Sequence, residues 1–160
     1  MVVSASRVVE ILSSVGTEFT VTEVSSKLGV SQTTAKRYIN DLVKAGFITP
    51  RNGKYVVTDK GLLLLELSRI KNVSTSSDQA YVFTNENGAP VVLRVDSVRK
   101  LYIIVKYGLI PESILRHHLE KGYIANWVRD VLGAKVLADK ISSVKTGSEL
   151  IVLLEQFLEA

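Results

Sequence analysis

"GVSQTTAKRYINDLVKAGFI", residues 29–48, decides how this chain is read. Gly29 can stop one helix and Ser31 can cap the next, because a serine oxygen accepts from the free N–H groups of a first helical turn. Ala35, Ile39 and Leu42 then recur at the spacing of a single helix face, and Gly46 closes the run. The opposite side is polar and basic. The stretch therefore predicts a turn, a helix buried along one side, and an outward face suited to a polyanion.

Working outward, Val8, Ile11, Leu12 and Val15 predict a helix over 5–15 that ends at Gly16. "TVTEVSSKLG", residues 20–29, predicts a short second helix with Thr22 as its N-cap and Val24 and Leu28 inward. After the quoted stretch, "FITPRNGKYVVT" places two strand-like runs around Arg51-Asn52-Gly53-Lys54, and Asn-Gly is a strong hairpin signal. Pro50 lacks an N–H to donate, so its strand belongs at a sheet edge. "TDKGLLLLELSRI" opens a fourth helix capped by Thr58 or Asp59. Leu62 to Leu65 cannot all face one side of it, so part of this helix must meet something beyond its own small domain.

This order of elements, and the residues that carry it, resemble the winged helix-turn-helix regulators of bacteria and archaea. Gly29-Val30-Ser31-Gln32 matches their turn, and Ala35, Ile39 and Leu42 fall where their recognition helix packs inward. Ala45-Gly46-Phe47-Ile48 resembles the entry to their wing and "YVVTDKG" the exit from it. The likeness covers about residues 5–71. It implies that the N-terminal part of the third helix enters the major groove of double-stranded DNA. Gln32, Thr33, Thr34, Lys36, Arg37 and Asn40 would then face base edges, where Gln and Asn suit adenine, Arg and Lys suit guanine, and Thr suits a thymine methyl. Arg51 and Lys54 at the wing tip, with Lys27, Ser31 and Thr33, would meet the backbone. Each of these also has a bland reading as a cap or a solvated charge, and winged helices serve as protein-docking adaptors as well.

Charge favours DNA. Residues 1–72 hold ten Lys and Arg against six Asp and Glu, whereas residues 73–160 hold ten of each, so the whole net charge of +4 lies in the first part. Between residues 27 and 60 seven basic side chains face only Asp41 and Asp59.

"NVSTSSDQ" is polar and without periodicity, and residues 73–79 are read as a linker. Beyond it, "AYVFTNENGAPVVLRV" predicts a second hairpin turning at Asn87-Gly88. Helices follow: one capped by Ser97 with Val98, Leu101, Tyr102 and Val105 inward, one starting at Pro111, and others striped by Trp127 and by Leu137, Ile141 and Val144. "SELIVLLEQFLEA" closes the chain with a broad apolar arc including Phe157 and a polar side including Glu159. This half resembles an archaeal domain of unknown function at Tyr81 to Phe83, Gly88-Ala89-Pro90, His118, Lys121-Gly122, Trp127, Arg129 to Gly133 and Leu137-Ala138. It departs from that pattern at Tyr123-Ile124, where relatives carry Asp-Phe.

The expected class is thus α+β and mostly helical: a winged helix-turn-helix over 1–72, a linker over 73–79, and a hairpin-plus-helices domain over 80–160. Catalysis is not expected. His117 and His118 are adjacent and diverge by about 100° on a helix, which suits neither one metal nor a catalytic pair. His118 lies in an apolar stripe, where a hydrogen-bonded core histidine is the common case. A ligand pocket near Tyr81, Tyr102, His118 and Trp127 is the alternative for a sensing role. No sequence signal calls for a cofactor or metal. Hydrophobic residues make up 46% and charged ones 22%, the balance of a folded chain rather than a disordered one. There is no cysteine, hence no disulfide, zinc finger or thiol chemistry. The apolar runs are too short to cross a bilayer, and "MVVSASRVVE" lacks the plan of a signal peptide. A cytoplasmic, homodimeric regulator of transcription is the resulting expectation, with a protein-binding adaptor as its rival.

Overall fold

The structure, a computed structural model, describes residues 4–158, apart from the side chains of Val92 and Phe157. The Phe157 side chain of the terminal apolar arc, and Glu159 of its polar side, therefore lie outside what is described. The chain divides into two compact units, one up to Leu65 and one from Glu66 onward.

The first unit opens with α1 (Ala5–Val15), β1 (Glu18–Phe19), α2 (Val21–Leu28) and α3 (Gln32–Lys44). Val8, Ile11, Leu12 and Val15 from α1, Val24 from α2, and Ala35, Ile39 and Leu42 from α3 form its core with Phe19 and Ile48. The expected N-cap of α2 is corrected: Thr20, not Thr22, holds that place and accepts from Glu23 N at 3.2 Å. Thr20 also donates its hydroxyl to Glu23 Oε1 at 3.4 Å, so cap and first turn hold each other. Gly29 ends α2 in the left-handed region (φ 66°) and Ser31 caps α3, accepting from Thr34 N at 3.1 Å.

β2 (Ile48–Arg51) and β3 (Lys54–Val57) make the wing, an antiparallel hairpin in which Arg51 faces Lys54. Its tip, Asn52 and Gly53, has positive φ at both residues (49° and 78°), the backbone of a two-residue turn matched to strand twist. β1 pairs on the other side of β3, so the order is β1-β3-β2 and Pro50 does sit on an edge strand. A two-residue strand has no periodicity to read, and the sequence gives no sign of it.

The wing is fastened where it leaves. Thr58 Oγ1 donates to Gly46 O at 2.6 Å, Thr58 N donates to Phe47 O at 3.0 Å, and Lys60 Nζ donates to Ala45 O at 2.8 Å while lying 4.8 Å over the Phe47 ring. Thr58 also caps α4 (Asp59–Ile70), accepting from Gly61 N at 3.3 Å. These bonds tie the end of α3 to the base of the wing. At Gly61 no side chain fits, because a Cβ would stand 2.5 Å from Phe47 O and 2.7 Å from Val57 Cγ1. Gly61→Ala should therefore lower stability by about 1–2 kcal/mol, overpacking outweighing the better helix propensity of alanine. Chemical denaturation measures it, and a variant as stable as the parent would show that the wing base can yield.

Leu63 and Leu64 are buried, and Leu62 and Leu65 half-buried. The division between the two units falls inside α4, between Leu65 and Glu66. The 73–79 segment is hydrogen-bonded within the second unit: Thr75 N donates to Asp96 O, Arg94 Nη1 to Ser77 O, and Trp127 Nε1 to Gln79 O.

The second unit continues with the hairpin β4 (Tyr81–Thr84) and β5 (Pro90–Val95). Then come α5 (Val98–Lys106), α6 (Glu112–Glu120), α7 (Tyr123–Asp130), α8 (Lys135–Ser142) and α9 (Gly147–Leu158). Phe83, Leu101, Leu115, Ile124, Leu137, Leu150 and Leu154 lie at its centre. Pro111 is the N-cap of α6 rather than its first helical residue. The whole is α+β and mostly helical: a winged helix-turn-helix followed by a hairpin and helices. No described helix is long and apolar enough to cross a membrane.

Candidate nucleic-acid interface

With Ala35, Ile39 and Leu42 buried, the geometry of α3 fixes what it shows to solvent. At about 100° per residue, Thr33, Arg37, Asn40 and Lys44 stand opposite the buried stripe, and Lys36 flanks them. All five are exposed. Among the described residues Thr33, Lys36, Asn40 and Lys44 make no side-chain hydrogen bond or ion pair. The Arg37 guanidinium lies over the Tyr38 ring at 5.7 Å, which leaves its N–H groups unspent. Tyr38 is held by α1: Arg7 donates to its hydroxyl and sits 4.8 Å above its ring. Hydrogen bonds to Glu10 and then Tyr38 raise the already high pKa of Arg7, so its charge is permanent.

Other expected contacts are placed differently. Ser31 spends its hydroxyl on the cap and lies 3.0 Å from Thr34 Oγ1, while Thr34 is only half-exposed. Gln32 turns toward α2, its Nε2 3.5 Å from Thr22 Oγ1. Lys27 is exposed on the last turn of α2. Sequence reading left out Lys44; its position eleven residues after Thr33 and seven after Arg37, on the same face, is the signal that would have found it.

Arg51 and Lys54 are both exposed and face each other across the last rung of the wing. Like charges directly opposite are unfavourable in a hairpin. An anion bridging them would remove that cost. Lys60, part of the same basic stretch, is already committed to the Ala45 carbonyl.

In the second unit the histidines have other roles. His118 is buried, with Nδ1 bonded to the Tyr81 hydroxyl and Nε2 3.1 Å from both N and O of Thr84. Either neutral tautomer is satisfied there. Burial lowers its pKa, opposed by the Thr84 backbone hydrogen bond and reinforced by neighbouring His117. Burial likewise raises the pKa of Tyr81. Tyr81 packs edge-on against Phe83, His118 and Trp127, at 5.0, 5.7 and 5.8 Å between centroids. Tyr81, Tyr102, His118 and Trp127, the residues of the alternative ligand pocket, are all buried. A cavity of about 300 Å³ instead lies among Thr84, Asn85, Glu86, Ser113, Ile114 and His117. Among the described residues no cluster of His, Asp and Glu could hold a metal ion.

A family model described as winged helix-turn-helix matches residues 5–77. Domains of that kind typically bind double-stranded DNA. No curated protein and no solved structure matches the chain.

Proposed function

We propose that, from its winged helix-turn-helix, this protein reads duplex DNA in a sequence-specific way and regulates transcription. It acts as a homodimer in the cytoplasm, with a second unit akin to an archaeal domain. The observation that carries this is the outward face of α3. Thr33, Lys36, Arg37, Asn40 and Lys44 offer base-contacting and phosphate-contacting groups that no hydrogen bond or ion pair among the described residues uses. A helix buried on one side and set against a fixed wing presents those groups to the major groove. Gln32 contributes at the groove edge, and Thr34, Ser31 and Lys27 lie along the flanking backbone. No enzymatic step belongs to this reading.

Selection from random duplexes at about 150 mM salt tests it, since non-specific phosphate binding is already weakened there. Enrichment of an inverted repeat with half-sites one helical turn apart, about 34 Å, is the expected result. An unrepeated motif would remove the dimer and keep the regulator. No enrichment would leave α3 as scaffold and turn attention to a protein-docking adaptor.

The wing has a separable part. Arg51→Ala with Lys54→Ala should weaken binding evenly across sequences and reduce the slope of log affinity against log salt by about 2, one unit for each lost phosphate contact. A change in preferred sequence instead would mean that the wing reads bases.

A further inference from the structure

The homodimer requires a face, and among the described residues the second unit exposes several large apolar side chains, four of them on or beside α5 and α9. Tyr107 is 68% exposed, Val152 60%, Leu109 53% and Ile103 42%, high values for large apolar side chains. Ile103 and Tyr107 lie one turn apart on the outer side of α5, Leu109 follows that helix, and Val152 stands on the outer side of α9. α5 and α9 pack together, and Lys106 Nζ meets Glu155 Oε1 at 3.7 Å across their seam. The charges are segregated by helix. α5 carries Arg99, Lys100 and Lys106 and no carboxylate, whereas α9 carries Glu149 and Glu155 and no base.

We propose that this α5–α9 face is where two copies of the chain pair, with α5 of each copy lying on α9 of the other. The inference rests on the homodimer reading above. A two-fold axis makes every contact occur twice, so a surface pairs with itself only if its halves are complementary. Here the basic helix of one copy meets the acidic helix of the other on both sides of the axis. Ile103, Tyr107, Leu109 and Val152 supply the apolar centre and the charges the rim, the usual anatomy of a protein interface. The opposite arrangement, α5 on α5, would set Arg99 and Lys100 against their own copies and is disfavoured by repulsion.

Sedimentation equilibrium of the full chain, beside Ile103→Glu with Tyr107→Glu, tests the face. The parent should be a dimer. The double variant should be a monomer with its helical circular dichroism intact, the dissociation constant rising by about 100-fold or more. Val152→Arg, on the other helix and well exposed, should act in the same direction and stands in should the first variant fail to fold. Raising salt from about 0.1 to about 1 M should loosen the parent dimer, because screening weakens rim pairs. A parent dimer left unchanged in both variants overturns this face and spares the homodimer. A parent that is monomeric at every concentration, on duplex DNA as well, overturns both. Binding of a single half-site by the monomeric variants is read in parallel, so loss of the DNA reading is recognised independently of the pairing result.

Discussion

Lys36→Ala with Arg37→Ala is expected to weaken duplex binding by about 100-fold or more while leaving the melting temperature nearly unchanged. Each direct base or phosphate contact of a basic side chain is worth about 1–3 kcal/mol, and two are removed. The stability side of the forecast follows from exposure. Both side chains lie in solvent and neither has an ion pair among the described residues. Alanine is at least as good a helix former as either. Only the Arg37 contact over Tyr38 is lost within the chain, at about 0.5 kcal/mol for an exposed cation on a ring. Titration of a selected site at fixed salt, with a thermal melt of the same samples, separates the two effects. Affinity unchanged within about threefold, a shift under about 0.7 kcal/mol, would show that α3 does not face DNA. Arg37→Lys refines the result, since lysine keeps the charge and loses the two-pronged geometry that guanine rewards. A large drop for that variant would mark base readout, and a small one phosphate.

Most of the first unit was legible because α1, α3 and the wing carry local signatures. Ser31, Gly29 and Gly46 bracket α3, Asn52-Gly53 turns the wing, and the apolar spacing of α1 and α3 survives as their buried faces. What was not legible depends on partners distant in sequence. β1 exists because Phe19 and Glu18 find Tyr55 and Val56, which two residues cannot announce. The cap of α2 was misread although its signal was present: Thr20 and Glu23 stand at capping-box spacing, while Thr22 merely precedes the same apolar pair. The polar stretch 73–79 has the composition of a linker, but its backbone is claimed by Asp96, Arg94 and Trp127. Composition reports that a segment lacks periodicity and is silent on whether other residues will hold it. On the candidate face, pattern alone gave Thr33, Lys36, Arg37 and Asn40. The bias of Gln32 toward Thr22 needed coordinates.

Glu66→Ala should destabilise the second unit by about 2–4 kcal/mol, a large effect for a residue that composition would assign to a solvated helix. α8 begins after Ala134, which offers no side-chain cap. Its first-turn donors are taken instead by Glu66 of α4, whose two carboxylate oxygens accept from Val136 N at 2.9 Å and Leu137 N at 2.8 Å. A negative charge at that end also suits the helix dipole. One turn further along α4, Arg69 Nη2 donates to Gly133 O at 2.9 Å, so the same approach to α8 is held from both sides. Charge-assisted bonds of this kind contribute about 1.5–3 kcal/mol each when a partner is removed. Glu66→Gln, with one amide oxygen still able to accept, should lose about half as much. Chemical denaturation gives the totals, and amide hydrogen exchange at Val136 and Leu137 locates them. A loss under about 0.5 kcal/mol, the range of an ordinary surface substitution, would show that the carboxylate is dispensable. The same variants test what α4 is for. The helix starts at the wing base, where Thr58 and Gly61 are fixed to Gly46 and Phe47, and its later half belongs to the second unit. If α4 only closes the wing, Glu66→Ala should leave both pairing and palindrome preference untouched. If it also supports the second unit, the variant should keep half-site affinity, because α3 and the wing lie before it. It should then lose the gain that a second half-site provides.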